Sequence, residues 1–554
     1  MIDYRAPTAE LLFAMVHGAG ARRLANWDED IAAQVLHEAA RFIEAQIAPL
    51  DPVGDAAHAA LAEGRVRLPP AFVDAYRHLR DAGWTTLSAD EAWGGQALPE
   101  VLGGAVTEML AGACVALQMV LTLGPAAVRA IAASGSPAQQ ARYLPRLVSG
   151  QWLATMCLTE AQAGSDLSTT RTLAEPAGDG SYRLRGEKIF ISGGDHDLTE
   201  NILHLVLART PGAPAGVKGL SLFLCPAVRE DGTRNAVACL RLEEKMGMHA
   251  SPTCQLVFDG AHAEMLGAEG QGLAGMFVMM NAQRIETALQ GVGLAEVAAQ
   301  RSRAYAAQRH QGRLPGESGA VAINRHADVR RMLLQQMVLA QGCRAMVYRT
   351  QVELTLGQTP ALVDFMTPVC KAFASEAGFE VAHLAIQIHG GYGYLNEYRV
   401  EQVLRDVRIT SIYEGTNGIQ ATTLVERLLR QPDGAPAAAF AADVEAAIGV
   451  AQPAMAAALR TALAAWQTAT DAALVRVPLG AATTGFMRLT GLVALGAAWA
   501  RMEAAAHSAP NPQRTLAAAQ YLRDEMLPEC RQLADTVCRG CDLGALTDAV
   551  FAPE

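Results

Sequence analysis

The chain has 554 residues, of which 51% are hydrophobic and 18% charged, and its formal net charge is −11. This length exceeds one ordinary hydrophobic core and indicates three or four domains, while an aromatic content of 5% argues against an all-β protein. The acidic balance argues against non-specific nucleic-acid binding, because an acidic surface repels phosphate backbones.

The cysteines and the N-terminus indicate an intracellular setting. Ten cysteines scattered through so long a chain do not form a disulfide framework. The first residues, MIDYRAPTAE, are polar and lack the features of a signal peptide. No uninterrupted apolar run reaches the roughly 18–20 residues that a membrane span needs. We therefore expect a cytoplasmic protein without a membrane span.

Residues 1–153 are predicted to form an N-terminal helical domain. Alanine-rich amphipathic segments alternate there with helix breakers such as Gly135-Ser136-Pro137. The stretch from Val115 to Ala133 is strongly apolar, but Gly124 and Pro125 interrupt it. This stretch therefore predicts a buried core helix rather than a membrane span.

Residues 154–262 are predicted to form a middle antiparallel β domain. The hydrophobic period changes to two, and turn pairs such as Asp179-Gly180 separate short apolar runs. The candidate strands are Tyr182–Gly186, Leu203–Ala208, Leu220–Cys225, Val237–Leu242 and Gln255–Phe258. Five short strands without intervening helices favour one small β domain.

Residues 263–430 return to a helical period and predict a C-terminal four-helix bundle. Ile285, Leu289 and Val292 follow the i, i+4, i+7 spacing of one helix face. The run from Gln431 to Pro436 is typical of a linker, and residues 437–554 then predict an alanine-rich helical extension. The predicted fold class is therefore multidomain α+β.

Two short motifs resemble binding sites but are better explained as ordinary structural segments. Gly270-Gln-Gly272-Leu-Ala-Gly275 fits the dinucleotide fingerprint, which needs a preceding strand and a βαβ unit. The residues from Gly260 to Met265 are not predicted as a strand, so a glycine loop that opens a helix is favoured. Cys538 and Cys541 form a lone CxxC pair without the partners of a zinc site, so no metal site is predicted.

Three segments carry residue types suited to binding and catalysis. Met156–Asp166 combines small residues with hydroxyls able to hydrogen-bond a planar heterocycle or a pyrophosphate. Lys188–Gly194 is a strand that ends in a double glycine. Ser411–Gln420 places the carboxylate of Glu414 between an aromatic residue and a glycine, which lets a ligand approach the backbone. Taken singly, these segments also fit a plain loop, a hairpin end and a helix N-terminus.

In this order and spacing, the three segments resemble those of the acyl-CoA dehydrogenase family. Gln387-Ile-His-Gly390-Gly391-Tyr-Gly393 resembles the family's glycine segment that contacts the adenosine half of FAD from a neighbouring subunit. The match covers roughly residues 50–430. It implies an N-terminal helical domain, a middle β domain and a C-terminal four-helix bundle. It also implies FAD bound between the β domain and the bundle, partly at the subunit interface of a homodimer or homotetramer.

The resemblance implies a role for individual residues. Glu414 matches the base that removes the α-proton. The residues that match FAD contacts are Met156, Leu158, Thr159, Ser165, Phe190, Ser192, Arg309, Gln387, Gly390, Gly391 and Thr416. The residues that match contacts to the acyl-CoA are Ser165, Asn281, Arg284 and Gly415.

The sequence departs from the family pattern in two places. Phe190 and Ser192 stand where the family usually has tryptophan and threonine, so a stacking face is kept and the indole N–H is lost. Arg309 is followed by His-Gln-Gly instead of the usual x-x-Phe-Gly. A minority of family members place the base one residue before the arginine that matches Arg284. That residue is Gln283 here, and an amide cannot accept the proton.

The resemblance implies FAD-dependent α,β-dehydrogenation of an acyl-CoA to the 2-enoyl-CoA, as in the β-oxidation of fatty acids. In the family, a flavin hydroxyl and the backbone N–H of the catalytic glutamate stabilise the developing enolate, and electron-transferring flavoprotein takes the electrons. The N-terminal helix and the C-terminal extension resemble the longer bacterial subgroup that includes methylthiopropanoyl-CoA dehydrogenases. That subgroup favours a short-to-medium acyl group.

Three other functions are compatible with this fold. An acyl-CoA oxidase would use the same residues and pass electrons to oxygen. A flavoprotein of the DNA-alkylation response would carry a basic DNA-binding face, which the acidic charge balance argues against. A catalytically inactive homologue is disfavoured, because Glu414-Gly415 is retained in its full motif.

Overall fold

The computed structural model describes residues 3–475, 480, 482–540 and 546–552. The chain forms two compact units. The β-containing unit comprises residues 38–286, and the helical unit comprises the residues up to 37 together with those from 287 onward. One long helix contributes to both units, since it runs from Gly272 to Gln308.

Helices dominate the region before Trp152, as the alanine-rich pattern predicts. Their bounds are α1 Thr8–Phe13, α2 Glu29–Phe42, α3 Leu50–Ala56, α4 Pro70–Asp81, α5 Glu100–Leu121, α6 Leu123–Ser134 and α7 Pro137–Val148. Ser136 and Gln139 form a capping box that starts α7. A small hairpin of β1, Ala60–Ala62, and β2, Arg65–Arg67, interrupts the helices and is absent from the expected helical pattern.

The apolar stretch before Gly124 forms α5. Among the described residues, α5 is a helix long and apolar enough by length and composition to cross a membrane. However, 83% of its most apolar window is buried inside the protein. Its apolar surface is therefore part of a protein core, as the interrupted pattern of Val115–Ala133 predicts.

Strands β3 to β9 form the sheet of the β-containing unit. Their bounds are β3 Trp152–Cys157, β4 Leu173–Pro176, β5 Tyr182–Ser192, β6 Asn201–Arg209, β7 Leu220–Pro226, β8 Val237–Leu242 and β9 Thr253–Leu266. The pairings run β6–β4–β5–β9–β7 and return from β7 to β6, so these strands close into a ring. β3 pairs with β6, and β8 pairs with β9 outside the ring.

The five expected strands are confirmed, and the structure adds β3 and β4. Most pairings are antiparallel, but β3–β6 and β4–β6 are parallel. The expectation that Gly260–Met265 is not a strand is wrong, because these residues continue β9 to Leu266. β9 nevertheless pairs antiparallel with β5, β7 and β8, so no parallel βαβ unit surrounds the glycine motif within the described residues.

The helical unit holds the bundle and the C-terminal extension. The bundle helices are α8 Gly272–Gln308, α9 Ala327–Leu356, α10 Pro360–His389, α11 Val400–Val407 and α12 Asn417–Thr422. The extension helices are α13 Ala435–Val450, α14 Pro453–Val475, α15 Ala482–Ala504, α16 Pro512–Tyr521 and α17 Glu529–Arg539.

A close helix approach joins the extension to the bundle. Trp499 of α15 is fully buried, and its indole N–H donates to the Val338 carbonyl of α9 at 3.0 Å. A Cβ atom added at Gly342 would lie 2.5 Å from that indole nitrogen. The glycine therefore lets α15 pack directly against the α9 backbone.

Candidate active site

The loop that follows β3 is tied by its backbone to the end of β5. The Ile189 N–H donates to the Thr159 carbonyl at 2.9 Å. Glu160 and Ala163 close the loop through reciprocal backbone hydrogen bonds of 2.9 and 3.0 Å. The structure therefore brings the first two predicted segments, Met156–Asp166 and Lys188–Gly194, side by side.

A buried ion pair fixes this arrangement. The Lys188 ammonium has no exposed surface and donates to the Leu158 carbonyl at 2.9 Å and to Glu160 Oε1 at 2.8 Å. Burial by itself raises the pKa of Glu160, but the charge of Lys188 and hydrogen bonds from Lys188 and Thr172 lower that pKa to about 2. Sequence reasoning assigned no role to this pair, because the burial of a lysine within a strand is decided by sheet packing.

Phe190 is held in an unusual backbone conformation at the end of β5. Its φ is +58°, within the left-handed region that bulky residues rarely adopt. A register irregularity between Lys188 and Ile191 accompanies it, and 60% of the phenylalanine surface is exposed. Exposure of a large aromatic ring together with a strained backbone is typical of a ligand-contact position.

The other predicted contacts of this unit differ in their exposure. Met156, Thr159 and Ser192 are partly exposed, and Ser165 is exposed in the loop. The side chain of Leu158 instead belongs to a hydrophobic core cluster. A contact at Leu158 would therefore involve its backbone, whose carbonyl Lys188 already positions.

The first half of α8 carries the predicted residues near the thioester. Arg284 donates to Asn281 Oδ1 at 2.9 Å, and Asn281 itself is exposed. Gln283 is 1% exposed, and its amide donates to the Thr122 carbonyl at 2.8 Å. Gln283 thus joins α8 to the junction between α5 and α6, which gives this amide a structural role.

Glu286 lies one turn after Gln283 and has the features of a titrating group. Its carboxylate accepts a 2.9 Å hydrogen bond from the Thr122 hydroxyl. Burial raises the pKa of Glu286 to about 7, although the Thr122 hydrogen bond lowers it in part. Sequence reasoning missed this residue, because a lone glutamate on a helix gives no signal of its burial.

Glu414 stands in a left-handed turn of the helical unit. Its φ is +57° and the φ of Gly415 is +83°. Two successive residues in this region reverse the chain between Tyr413 and the start of α12. A glutamate rarely adopts this conformation, so the surrounding structure must hold the turn in place.

Two buried side chains hold the carbonyl groups of the turn. Gln420 donates to the Glu414 carbonyl at 2.9 Å, and Lys371 donates to the Gly415 carbonyl at 2.8 Å. Lys371 also donates to Asn417 Oδ1 at 2.9 Å. Neither Lys371 nor Gln420 has exposed surface. Sequence reasoning missed Lys371, because this residue precedes Gly415 by 44 positions in the chain.

The residues on either side of the turn are also anchored. The Tyr413 hydroxyl donates to Gln290 of α8, and burial raises the pKa of this phenol. Thr416 is the N-cap of α12, since its hydroxyl accepts from the Ile419 N–H at 3.3 Å. The carboxylate of Glu414 is thereby presented from a turn that is fixed at both ends.

A third group of predicted residues lies on exposed surface of the helical unit. The Arg309 guanidinium lies 5.6 Å from the centre of the Tyr392 ring. Tyr392 follows Gly390 and Gly391 directly, and both glycines are exposed. Gln387 is also exposed, one turn earlier on α10. The structure therefore brings the arginine and the glycine segment together.

Each of the two units has residues that suit one part of a flavin dinucleotide. The exposed face of Phe190 suits stacking on a planar ring. Cβ atoms added at Gly390 or Gly391 would meet no atom within 4 Å, so a ligand has room to approach this backbone. The nearby guanidinium of Arg309 suits a phosphate.

The histidines, cysteines and carboxylates of the described residues form no cluster suited to a metal ion. Cys538 lies near the end of α17, whereas Cys541 lies outside the described residues.

Sequence models of one family match most of the chain. The acyl-CoA dehydrogenase N-terminal domain matches residues 30–151, the middle domain residues 155–261 and the C-terminal domain residues 270–429. An acetyl-CoA dehydrogenase C-terminal-like model matches residues 436–545.

Individual proteins show the same similarity. The 3-methylmercaptopropionyl-CoA dehydrogenase of Ruegeria pomeroyi is 41% identical over 476 residues, which cover 81% of this chain and 80% of that protein. A butyryl-CoA dehydrogenase of Syntrophomonas wolfei is 36% identical over 68% of this chain and 66% of that protein. The crystal structure of Caenorhabditis elegans ACDH-11 with C11-CoA covers 98% of this chain and 96% of its own, with a TM-score of 0.83 at 20% identity, which shows a shared fold.

Proposed function

The chain belongs to the acyl-CoA dehydrogenase family, and from this premise we propose that Glu414 is the base of its reaction and that FAD is the cofactor. The chain is an enzyme that dehydrogenates acyl-CoA. The proposal adds the residues that carry the reaction, the acyl group and the electron acceptor.

The observation that carries the assignment of Glu414 is the left-handed turn at Glu414 and Gly415. Such a turn costs of order 1–3 kcal/mol at a non-glycine residue and persists when the surroundings hold it. Lys371 and Gln420 supply that hold through the carbonyl groups of the turn. A carboxylate presented in a costly but fixed conformation is suited to act as a positioned base.

The reaction removes two hydrogens from adjacent carbons of the acyl group. The Glu414 carboxylate takes the α-hydrogen as a proton, and the electrons of that bond form the new double bond. When bound, FAD would supply the acceptor for the β-hydrogen and its electron pair. The backbone N–H of Glu414 donates to the thioester carbonyl and stabilises the negative charge that develops there.

The residues proposed to hold FAD form two groups. The first group contacts the flavin ring through the side chains of Met156, Thr159, Phe190 and Ser192 and through the backbone of Leu158. Ser165 contacts both the cofactor and the thioester. Thr416 adds a further contact to the flavin. Arg309, Gln387, Gly390 and Gly391 bind the dinucleotide of a neighbouring subunit, so the active enzyme is a homodimer or homotetramer. The surface exposure of this second group supports the assignment.

Asn281, Arg284 and Gly415 are proposed to contact the acyl-CoA. The acyl group is short to medium in length. The 41% identity to a 3-methylmercaptopropionyl-CoA dehydrogenase and the 36% identity to a butyryl-CoA dehydrogenase support this range, because both names specify short acyl groups. The matches of four family models to successive parts of the chain support the division at residues 153, 262 and 430.

Electron-transferring flavoprotein is the proposed acceptor and the cytoplasm the proposed location. The test is anaerobic reduction of the purified holoenzyme by acyl-CoAs of increasing length, including 3-methylmercaptopropionyl-CoA, followed by reoxidation with this acceptor or with oxygen. We expect bound FAD, fastest bleaching by the shorter substrates and slow reaction with oxygen. Hydrogen peroxide formation at the turnover rate without added acceptor would instead indicate an oxidase.

A further inference from the structure

Two cysteines lie next to each other on strands β8 and β9 of the β-containing unit. Cys239 of β8 is opposite Leu256, and Cys254 precedes Leu256 by two residues on β9, so both side chains project from the same face of the sheet. The thiol of Cys254 donates a hydrogen bond to the sulfur of Cys239. The structure therefore brings two free thiols into direct contact.

The two thiols differ in their acidity and in their exposure. The hydrogen bond between them lowers the pKa of Cys239 and raises the pKa of Cys254. Cys254 has no exposed surface, whereas 8% of Cys239 is exposed. Leu240, which follows Cys239, lies at a register irregularity of β8 and is exposed, so this part of the strand is at the surface. Because the thiolate is the reactive form, Cys239 is suited to meet a small oxidant first, and Cys254 is placed to react second.

The side chain of Cys254 supports the turn at the end of β5. A Cβ atom added at Gly194 would lie 2.7 Å from Cys254 Cβ and 3.1 Å from its Sγ, so the glycine backbone rests directly against this side chain. The Cys254 sulfur also accepts a hydrogen bond from the Asp195 backbone. Within the ladder of β5 and β9, Cys254 pairs with Ile191 and lies beside the partner of Ser192, a proposed flavin contact.

The other side of this turn is fixed to β2. The Asp195 carboxylate accepts from the Val66 N–H at 2.9 Å and from Arg65 Nε at 3.0 Å. The turn is thus held between β2 and the Cys254 sulfur. A movement of that sulfur therefore removes one of the contacts that hold the turn.

We propose that Cys239 and Cys254 form a reversible disulfide that loosens the turn at Gly194 and Asp195. Because a covalent bond is shorter than a hydrogen bond, its formation draws the Cys254 sulfur towards Cys239 and away from the Asp195 N–H. Faster release of FAD is the expected consequence. That consequence rests on the proposed flavin contact at Ser192, whereas the formation of the disulfide does not.

Hydrogen peroxide is the proposed oxidant. The Cys239 thiolate attacks one peroxide oxygen and becomes a sulfenic acid, and the O–O bond breaks to release hydroxide, which takes up the Cys239 proton and forms water. The Cys254 sulfur then attacks the Cys239 sulfur. The hydroxyl group leaves with the Cys254 proton as a second water. Two thiols are thereby oxidised to one disulfide, and one peroxide is reduced to two waters.

The test treats the FAD-loaded enzyme with hydrogen peroxide, alkylates the remaining thiols and maps cross-linked peptides by mass spectrometry. We expect a Cys239–Cys254 cross-link that dithiothreitol reverses. Amide hydrogen exchange in the peptide spanning residues 190–197 should become faster on oxidation, and dilution should release FAD several-fold faster. The wild-type enzyme compared with and without dithiothreitol gives these readouts without any variant.

Serine variants connect the response to this pair. Cys239→Ser and Cys254→Ser should each form no such cross-link and show no effect of peroxide on hydrogen exchange in residues 190–197. Cys225→Ser is the matched control and should respond as the wild type does, because Cys225 is a fully buried thiol of the same sheet whose pKa burial raises.

Two results overturn the proposal. The first is the absence of a Cys239–Cys254 cross-link in the oxidised wild-type enzyme, whatever other thiols react. The second is a cross-link that leaves hydrogen exchange in residues 190–197 unchanged. If the purified protein held no FAD, the proposed cofactor would fail, while the cross-link and the exchange rates would still decide this inference.

Discussion

The Lys188 ammonium lies 2.8 Å from Glu160 Oε1, and the two side chains are only 0% and 5% exposed. This pair ties β5 to the loop that follows β3, because Lys188 also holds the Leu158 carbonyl. The proposed flavin contact Thr159 directly precedes Glu160, and the proposed contact Phe190 follows Lys188 by two residues. The pair therefore positions two segments of the candidate site through a contact that is shielded from solvent.

Removal of one member of this pair should be costly. Lys188→Met leaves the Glu160 carboxylate buried without its cation, so the free energy of unfolding should fall by about 3–5 kcal/mol. FAD retention should weaken in parallel. The control is Arg185→Met on the same strand, since Arg185 and Asp259 are 54% and 82% exposed and should contribute under about 1 kcal/mol. Equal losses of unfolding free energy in urea for Lys188→Met and Arg185→Met would refute this role of the Lys188–Glu160 pair.

Glu414→Gln should bind FAD and acyl-CoA yet fail to bleach the flavin. Glutamine keeps the shape of the side chain but cannot accept the proton, and general-base catalysis contributes about 10²–10⁴-fold. Stopped-flow absorbance under anaerobic single-turnover conditions measures the loss. Glu286→Gln is the matched control, because Glu286 is a buried carboxylate with a raised pKa that has no role in the proposed reaction, so this variant should retain a rate near that of the wild type. If Glu286→Gln failed to bleach the flavin and Glu414→Gln kept a rate near that of the wild type, Glu286 would be the base.

Glu286 should also give the stability a distinct pH dependence. Burial raises the pKa of its carboxyl from the usual 4.5 to about 7. Between these values the folded protein holds a proton that the unfolded chain releases, so stability falls as the pH rises. Glu286→Gln should therefore gain Tm over the wild type at pH 8 and match it near pH 4. A constant difference in Tm across this range would rule out such a shift.

The turn at Gly415 should not tolerate a side chain. In Gly415→Ala, the new Cβ would lie 2.7 Å from Gln420 Nε2, at a residue whose φ is already +83°. We expect loss of flavin reduction together with lower stability. Gly434→Ala isolates the backbone cost, because φ there is +62° and no atom lies within 4 Å of the added Cβ. That variant should cost about 1 kcal/mol and remain active. An active Gly415→Ala enzyme would contradict the proposed turn.

Arg309→Ala should release FAD more readily without unfolding the protein. Arg309 is exposed beside Tyr392, so its removal costs little stability. The dinucleotide of the neighbouring subunit loses a charged contact. Dilution followed by flavin fluorescence measures the dissociation, with Arg313→Ala as the exposed control in the same loop. A fully active monomer, or unchanged FAD affinity in Arg309→Ala, would show that the arginine serves no partner.

The sequence by itself determined the family and the order of the segments. Apolar residues recur about every 3.6 positions in a helix and every 2 positions in a strand, because these are the spacings of side chains that face a core. This difference distinguishes helices from strands in the sequence. The five predicted strands and the long helices α8 to α10 follow from this pattern. The residues of the motif around Glu414 are adjacent in the chain, so the sequence alone identifies the motif.

Only the tertiary structure decided which distant residues support the site. Lys371 precedes Gly415 by forty-four positions, and more than 160 residues separate Glu286 from Thr122. No local sequence pattern therefore predicts either contact. The strand character of Gly260–Met265 likewise depends on its partners β5 and β7. Burial and long-range hydrogen bonds arise only when remote segments pack together. Burial raises the pKa of Glu286, and hydrogen bonds from Lys371 and Gln420 hold the turn at Glu414.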